Sequence, residues 1–379
     1  MPVHIDGTMK TVEEIGRVAR FLEEVVLTDR AREEIERSRR VVEDMIERGS
    51  RVYGVTTGFG KFADVSIPRE DLRALQENLV VSHAVGVGEP FSVEEVRAAM
   101  FLRANALALG MSGVRTQVVE LLAAMLNQGV TPVVPQKGSV GASGDLAPLS
   151  HIALVMIGKG EAWFHGERME GGEALRRAGL QPLVLDAKEG LALTNGVQMT
   201  AAVLALTVDQ GYTLARSADV IASLTGQALS IIPQAFDPGI VDLRPHAGAR
   251  EVAGNLRALL AGSRLATMPG QVRVQDPYVL RCLPQVHGAV RQALEHVRAV
   301  VEIESGSATD NPLVFPDGRV ISGGNFHGQP LGIAADYLGL SLCSLGNISE
   351  RRIFRLMDPV ASGLPAFLTR RGGINSGLM

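Results

Sequence analysis

Hydrophobic residues recur at helical spacing along most of this chain. In the stretch 28–49, Ile35, Val42, Met45 and Ile46 form one apolar stripe between charged residues, and a glycine ends the pattern. Residues three or four positions apart share one face of a helix, so the stripe predicts an amphipathic helix with one buried face.

A helix start is visible in the stretch 91–110. Ser92 and Glu95 have the S-x-x-E spacing of a capping box, in which each side chain binds a backbone N–H of the first turn. Gly110 stands where such a helix would stop, because glycine readily takes the backbone conformation that ends a helix. The sequence therefore predicts a helix over 92–109.

The remaining pattern is also mostly helical. Few strands are predicted, and only 160–172 has the character of a hairpin, with a turn around His165 and Gly166. Together these elements predict an all-α fold, with a smaller, mostly helical N-terminal domain at 1–110 and a long central helical bundle at 111–379. The further predicted helices lie at about 69–82, 113–127, 146–158, 190–230, 248–262, 280–305 and 328–357.

The charge balance excludes several classes of protein. The 379 residues carry 37 basic and 41 acidic side chains, a net charge of -4, and 46% of them are hydrophobic. That composition is typical of a globular protein and unlike a disordered one. Nucleic acid is not expected as a partner, because no basic block is present and aromatic residues make up only 4% of the chain.

Cysteine and histidine usage indicates a reducing compartment and no metal. The two cysteines, Cys282 and Cys343, have no CxxC spacing, and no secretory leader is recognisable, so a cytoplasmic location is expected. The eight histidines form no HExxH motif, so no metal site is expected. The stretch 190–208 lacks charges but is interrupted by polar residues, which predicts a buried core helix and no membrane association.

The glycine-rich segment 137–151 carries the most specific chemistry in the chain. A phosphate-binding P-loop is excluded, because Asp145 follows Gly144 where that motif needs a lysine. A nucleophile elbow around Ser143 would need a glycine at position 145, where the chain has an aspartate, and a strand directly before it, which the pattern does not predict. A serine amidase that uses another base remains an alternative.

The tripeptide Ala142-Ser143-Gly144 can form a ring from its own backbone. If the amide nitrogen of Gly144 reaches the carbonyl carbon of Ala142, closure is sterically feasible, because glycine has no Cβ and alanine a small one. Loss of water and elimination of the Ser143 hydroxyl would leave a methylene group conjugated to the ring, which is a strong carbon electrophile. A helix that is capped by Asp145 and begins just before Pro148 would place its positive end beside the ring.

The motif GSVGASGDLAPLSHIAL resembles the signature of the aromatic amino acid ammonia-lyases. The segments YGVTTGFG, LTNGVQ, QDPYVLRCLPQVHGA, SATDNPLVF and SGGNFHGQP resemble other parts of that family, in the same order along essentially the whole chain. The resemblance implies that Ala142, Ser143 and Gly144 form 4-methylidene-imidazol-5-one (MIO), a built-in electrophile that eliminates ammonia without a metal or pyridoxal phosphate (PLP). It also implies an L-aspartase/fumarase-like helical fold and a homotetramer with shared active sites.

Matching the family's motifs position by position assigns roles to further residues. Tyr53, on a glycine-rich loop, would be a catalytic base or proton relay at the β-carbon of the substrate. Asn195 would help to bind the substrate carboxylate and to hold the ring, and Phe326 would pack near the ring. Without the resemblance, Tyr53 and Phe326 would be expected to be packing residues, and Asn195 would be a helix cap or a turn residue.

Three matching residues belong to the segment QDPYVLRC. The resemblance implies that Gln275 and Tyr278 line the active site, with Tyr278 among the catalytic residues. Arg281 would pair with the carboxylate of the substrate. On spacing alone, Arg281 could equally lie on a solvated helix face.

Substrate choice rests on the dipeptide Ser82-His83. In the family this position contacts the substrate ring, and Ser-His is the pattern of its histidine-specific members. A neutral imidazole at His83 can hydrogen-bond the imidazole of the substrate, whereas an apolar pair cannot. The expected reaction is therefore L-histidine to trans-urocanate and ammonia, the first step of histidine degradation. Tyrosine or phenylalanine ammonia-lyase and MIO aminomutase remain alternatives, as does an ordinary role for His83 at a helix end.

The sequence given ends at RRGGINSGLM, where the resemblance implies that a further C-terminal segment follows in the family. In histidine-specific members that segment carries a glutamate near the substrate imidazole, so without it a pocket with an open side is expected. A shortened, inactive derivative that keeps the helical bundle is therefore a further alternative to an active lyase.

Overall fold

The computed structural model describes residues 2–379, and about 57% of the chain is helical, which confirms the predicted all-α class. The long helices are those expected of a helical bundle. The α-helices are α1 (Val12–Arg20), α2 (Asp29–Glu47), α3 (Leu72–His83), α4 (Val93–Ala108), α5 (Thr116–Gln128), α6 (Leu146–Met156), α7 (Gly171–Arg177), α8 (Glu189–Thr194), α9 (Gln198–Ala228), α10 (Pro238–Asp242), α11 (Ala247–Leu260), α12 (Tyr278–Arg281), α13 (Leu283–Ser305), α14 (Gln329–Met357) and α15 (Pro359–Ser362).

Short strands form four small sheets within the described chain. The sheets are the parallel pair β1–β2, the antiparallel pairs β3–β5 and β8–β9, and the three-stranded sheet β4–β6–β7. The strands are β1 (Val3–Ile5), β2 (Val25–Leu27), β3 (Val87–Pro90), β4 (Thr131–Pro132), β5 (Pro135–Lys137), β6 (Glu161–Phe164), β7 (Glu167–Glu170), β8 (Leu313–Val314) and β9 (Val320–Ile321).

The hairpin predicted near 160–172 is confirmed as β6 and β7. Its turn residues His165 and Gly166 have φ of 49° and 80°, as a two-residue hairpin turn requires. The prediction of few strands in a mostly helical chain is also confirmed. The other strands are two to four residues long, too short for an alternating pattern to show.

Two compact units make up the fold. Unit 1 comprises Met1–Thr207 and Ala299–Gly332, and unit 2 comprises Val208–Arg298 and Ile333–Met379. The predicted boundary at residue 110 falls within unit 1, and a division into domains at that position stays a prediction.

Local capping signals set the first helices. The predicted helix over 92–109 is confirmed as α4, and both hydrogen bonds of the capping box between Ser92 and Glu95 are present. Thr11 and Glu14 form the same capping box at the start of α1, a helix that the hydrophobic pattern did not predict because it is only nine residues long. The T-x-x-E spacing was the available signal.

The predicted helix over 190–230 is two helices. Helix α8 ends at Thr194 and α9 begins at Gln198. Asn195 lies between them in an extended conformation, with φ of -94° and ψ of 109°. The break turns the chain at Asn195 and Gly196, which become the centre of the candidate site.

Two helical stretches among the described residues are long and apolar enough to span a membrane by length and composition. In the first, Glu189–Ala228, 83% of the most apolar window is buried inside the protein, whereas in the second, Gln329–Met357, the buried share is 28%. Residues 190–208 thus lie in the interior, as their polar interruptions predict.

Helix α4 is buried along almost its whole length in unit 1. Every residue from 96 to 108 is buried, and two of them, Arg97 and Arg103, carry a charge. Arg97 donates to the backbone carbonyls of Val18 and Leu126. Such acceptors are needed because a buried donor left without a partner costs about 1–3 kcal/mol.

Unit 2 has an apolar core of its own, with Leu280 and Leu283 among its buried residues. It also contains a buried carboxylate, Asp219, which accepts hydrogen bonds from His287 Nδ1 and Arg291 Nη2 at 2.8 and 2.6 Å. Burial raises the pKa of Asp219, but the hydrogen bonds from these partners outweigh it and lower the pKa overall. The carboxylate is therefore charged at neutral pH.

Candidate active site

The tripeptide Ala142-Ser143-Gly144 lies on the loop that joins β5 to α6 in unit 1. Ala142 and Ser143 are exposed, whereas Gly144 and the following Asp145 are buried. The loop thus presents the serine at the surface and anchors its C-terminal end in the interior.

Gly144 is the point of closest packing in this loop. Its φ is 76°, a conformation that favours glycine, and a Cβ at this position would overlap the carbonyl oxygen of Gly196. The same carbonyl accepts a hydrogen bond from the N–H of Asp145 at 2.6 Å. Only glycine fits here. Ring closure needs the same residue, because the attacking nitrogen must have no side chain beside it.

Asn195 holds the tripeptide from the other side. Its side chain is 5% exposed, and Nδ2 donates to the carbonyl oxygen of Ser143 at 2.7 Å. Asn195 is also the C-terminal cap residue of α8. The same residue thus ends a helix and contacts the tripeptide. Its predicted contact with the substrate carboxylate stays a prediction.

Asp145 anchors the loop to helix α9. Its carboxylate accepts hydrogen bonds from Ser139 Oγ at 2.6 Å and from Thr200 N and Oγ1, both at 2.8 Å. The expectation that its side chain caps α6 is wrong: Asp145 occupies the cap position, but its carboxylate makes no cap hydrogen bond. The three donors that it binds satisfy its buried charge instead.

A second segment reaches the tripeptide loop from residues 322–328. The N–H of Gly328 donates to the carbonyl oxygen of Gly141 at 2.8 Å. Phe326, two residues earlier, is partly buried. The structure therefore brings the segment of Phe326 against the loop of the tripeptide, and the packing of Phe326 near the ring stays a prediction.

Tyr53 lies in a turn that closes on itself. Its hydroxyl accepts a long hydrogen bond from the N–H of Gly60 at 3.4 Å, and its ring meets Phe59 edge-on with 6.4 Å between centroids. The neighbouring Gly54 packs against Leu191 of α8. The turn therefore contacts α8, the helix directly before Asn195, and the role of Tyr53 as a base stays a prediction.

His83 is the last residue of α3, and its hydrogen bonds indicate its tautomer. Nδ1 lies 2.9 Å from the carbonyl oxygen of Leu79. A carbonyl only accepts, so Nδ1 carries a proton. In the uncharged ring with this tautomer, Nε2 of the half-buried His83 is the acceptor that an imidazole N–H can bind.

His151 connects the end of α3 to α6. Its Nε2 accepts a hydrogen bond from the N–H of Gly86 at 3.1 Å, and burial lowers the pKa of His151 below its ordinary value. His151 was not predicted as a site residue, although it stands within the motif of the tripeptide. It holds the segment after His83 against the helix that follows the tripeptide.

His151 makes stability depend on pH. Because its pKa is lower in the folded protein, the unfolded chain binds the proton first as the pH falls below about 6.5. We expect the free energy of unfolding to decrease below that pH more steeply in the wild type than in His151→Gln, whose amide oxygen still accepts from Gly86. Chemical denaturation at about pH 8 and about pH 5.5 measures this. His4→Gln, at an exposed histidine, should behave like the wild type, and equal pH dependence in all three proteins would contradict the assignment.

Gln275, Tyr278 and Arg281 lie together in unit 2. The guanidinium of Arg281 stacks over the ring of Tyr278, with 4.5 Å from Cζ to the centroid. Gln275, Arg281 and Cys282 line a cavity of about 400 Å³. Tyr278 is 70% exposed, and Arg281 Nε is buried without a hydrogen-bond partner among residues 2–379. The geometry leaves donors of Arg281 available to an anion.

No group of three or more His, Cys, Asp or Glu side chains within residues 2–379 is arranged to hold a metal ion. A buried cation contacts the turn that packs against the tripeptide. Arg103 donates from Nη2 to the carbonyl oxygen of Asn195 at 2.9 Å. Neither Arg103 nor Thr200 is predicted from the sequence, because a helix pattern does not show which distant backbone a side chain will contact.

Comparisons with known proteins give one family. The model of the family described as aromatic amino acid lyase matches residues 10–379. A histidine ammonia-lyase of Symbiobacterium thermophilum is 55% identical over 374 residues, which is 98% of this chain and 74% of that protein. Among solved structures, histidine ammonia-lyase from Trypanosoma cruzi is 41% identical, with a TM-score of 0.91 over 100% of this chain and 72% of that one. Tyrosine aminomutase from Streptomyces globisporus is 37% identical, with a TM-score of 0.95 over 100% and 75%.

Proposed function

This chain belongs to the aromatic amino acid lyase family, and we propose that it is a histidine ammonia-lyase. Such a carbon-nitrogen lyase eliminates ammonia from L-histidine without oxidation and gives trans-urocanate, the first step of histidine degradation. The observation that carries the proposal is the packing of Ala142-Ser143-Gly144 against Asn195 and Gly196. An ordinary surface loop needs neither a buried amide donor such as Asn195 nor a position such as Gly144 that has no room for a Cβ.

Residues 142–144 fit the prosthetic group MIO, which we propose that they form. Gly144 has no room for a side chain, the carbonyl of Ser143 is held by a donor, and Ala142 and Ser143 are open to a substrate. Once formed, the group supplies a carbon electrophile for covalent catalysis. Helix α6 begins directly after the loop, and its positive end favours negative charge that develops beside it.

The remaining residues bind and orient the amino acid in this proposal. Arg281 pairs with the carboxylate of the substrate, for which a guanidinium provides matched donors. Tyr53 removes the proton from the β-carbon. Gln275, Tyr278, Asn195 and Phe326 complete the set of residues that contact the substrate or the ring, and Tyr278 takes part in catalysis.

Replacing His83 by leucine tests the choice of substrate. The variant loses the acceptor at Nε2, so we expect kcat/KM for L-histidine to fall about 10- to 100-fold, the value of one hydrogen bond to a buried polar partner. Turnover of L-phenylalanine and L-tyrosine, measured by product absorbance, should fall less. His4→Leu changes an exposed histidine and should leave all three substrates unaffected. Equal losses for the three amino acids would remove His83 from substrate recognition.

Two measurements on the unchanged chain test the function itself. Intact mass spectrometry should show a chain lighter by the mass of two waters, localised to residues 142–144 by peptide mapping. Incubation with L-histidine should give the absorbance of urocanate and an equal amount of ammonia. A chain of full mass without turnover would overturn the proposal in favour of a helical derivative without catalytic activity, and conversion to a β-amino acid would favour an aminomutase.

We also propose that the chain assembles as a homotetramer with shared active sites and works in the cytoplasm. Helix α14 supports the assembly, because Ile333, Leu340 and Phe354 are 60%, 73% and 52% exposed and such apolar faces mark interaction surfaces. Both cysteines are free thiols, in keeping with a reducing compartment. We expect analytical ultracentrifugation to give a mass four times that of the chain, and a monomer at micromolar concentration would contradict the proposal.

A further inference from the structure

Three charged side chains form one buried group, which reaches the turn Asn195-Gly196 through Arg103. Lys188 and Asp310 form an ion pair with 2.8 Å between Nζ and Oδ2, and their side chains are 0% and 2% exposed. Arg103 is 1% exposed. Burial lowers the pKa of Arg103 to about 10, and the negative charge of Asp310 opposes this effect. Arg103 is therefore still protonated at neutral pH, and all its donors remain available.

Arg103 divides its donors between the turn and helix α9. Nη2 donates to the carbonyl oxygen of Asn195 at 2.9 Å, and Nη1 donates to Gln198 Oε1 at 2.8 Å. A Cβ on Gly196 would overlap Arg103 Nη1, so the guanidinium lies directly against the turn. The planar fork fixes both acceptors at once, which a flexible ammonium group cannot do.

The contacts continue from Arg103 to the other segment that holds the tripeptide loop. Gln198 Nε2 donates to Thr309 Oγ1 at 2.7 Å. The adjoining stretch 308–311 binds the segment of Phe326, because Asn325 Nδ2 donates to the carbonyl oxygen of Ala308 at 3.1 Å and Gly323 N–H donates to Asn311 Oδ1 at 2.7 Å. Arg103 is thus connected to both segments that hydrogen-bond the loop.

We propose that Arg103 is a positioning residue for the tripeptide: it fixes the turn Asn195-Gly196 against Ser143 and Gly144, and so controls both ring closure and the subsequent reaction. The inference deepens the proposed function and rests on it. Arg103 contacts neither the substrate nor the ring; it acts through Asn195 and Gly196.

Ring closure is sensitive to this turn because it depends on short backbone distances. A ring bond forms between the nitrogen of Gly144 and the carbonyl carbon of Ala142. One water leaves with the oxygen of Ala142 and the two amide hydrogens of Ser143 and Gly144, which leaves a double bond between that carbon and the nitrogen of Ser143. A second water leaves with the hydroxyl and the α-hydrogen of Ser143, which leaves the double bond between Cα and Cβ. A turn that moves away from Gly144 lets the loop relax to extended backbone, in which the nitrogen no longer meets the carbonyl.

Helix α4 offers a matched control for Arg103. Arg97 is also 1% exposed and lies six positions earlier on the same helix, but it donates to Val18 and Leu126 and not to the site. Arg103→Gln and Arg97→Gln therefore remove the same buried charge and leave a similar cavity. A role of Arg103 in stability alone would affect both variants alike.

The experiment compares four proteins: wild type, Arg103→Gln, Arg103→Lys and Arg97→Gln. Two quantities are measured for each: the fraction of folded chain that has lost two waters, and the kinetics with L-histidine. We expect Arg103→Gln to lower the dehydrated fraction at least about tenfold. In the chains that do dehydrate, we expect kcat to fall about 100-fold with KM little changed, which is the cost of a misplacement of about 1 Å. Arg103→Lys should recover part of both losses, and Arg97→Gln should dehydrate fully.

The possible outcomes separate the inference from the proposed function. A wild type that never dehydrates would overturn the function. Complete dehydration and normal kcat in Arg103→Gln, or equal losses in Arg97→Gln, would overturn only the role of Arg103. If Arg103→Gln does not fold, Arg103→Lys keeps the buried charge but lacks the planar fork that binds Asn195 and Gln198 together; a wild-type dehydrated fraction and kcat in that variant would then overturn the inference.

Discussion

Turnover of L-histidine is expected to fall at least about a thousandfold when Ser143 is replaced by alanine, an increase of about 4 kcal/mol in the barrier. The reason is chemical: alanine has no hydroxyl to eliminate, so no methylene group and no electrophile can form. The exposed position of Ser143 makes a large loss of stability unexpected. Initial rates from urocanate absorbance, together with the intact mass, measure both effects.

Ser150→Ala is the matched control for this variant. Ser150 lies on α6, and its Oγ is buried without a hydrogen-bond partner in the described part of the chain. Its removal should therefore leave the rate and the loss of two waters unchanged. Undiminished turnover in Ser143→Ala would remove this serine from the mechanism.

Lys188→Met is expected to lower the free energy of unfolding by about 3 kcal/mol, near the lower end of the cost of breaking a buried ion pair. The variant leaves the buried carboxyl group of Asp310 without its ion-pair partner, although Ser112 Oγ still donates to it at 3.1 Å. Burial lowers the pKa of Lys188, and the negative charge of Asp310 opposes this effect. The attraction between the two groups therefore offsets the free-energy cost of removing the ammonium group from water. Chemical denaturation measures the change.

Lys159→Met removes the same side chain from an exposed ion pair. Lys159 Nζ lies 2.7 Å from Glu77 Oε1, with side chains 50% and 49% exposed, and such pairs contribute about 0–1 kcal/mol. The two variants differ in burial and hardly in geometry. A loss in Lys188→Met no larger than that in Lys159→Met would show that the buried pair contributes little to stability.

Local sequence signals predicted the elements well where the causes are local. The capping box of Ser92 and Glu95 and the turn at His165 and Gly166 involve neighbours in sequence, and both are present in the structure. The break at Asn195 was less visible, since the residues on both sides of it are equally apolar. The resemblance to a family, and not periodicity, indicated that this break matters.

The contacts that define the site could not be predicted from the pattern. Asn195 and Ser143 are 52 positions apart, and Arg103 looks like one charged residue among many on a helix. Which charges become buried depends on tertiary packing, which composition and periodicity do not contain. The roles of Gln275, Tyr278 and Arg281 in unit 2 remain predictions for the same reason.

The close packing that excludes a side chain at Gly144 has a consequence for the order of synthesis, folding and activation. Gly196 and Asn195 are synthesised some fifty residues after the serine, so an emerging chain carries an inert alcohol. If residues 142–144 form the proposed ring, only a chain that has already packed Gly144 against Gly196 can gain the electrophile. Misfolded chains would then carry no electrophile, and activity should appear later than helical structure.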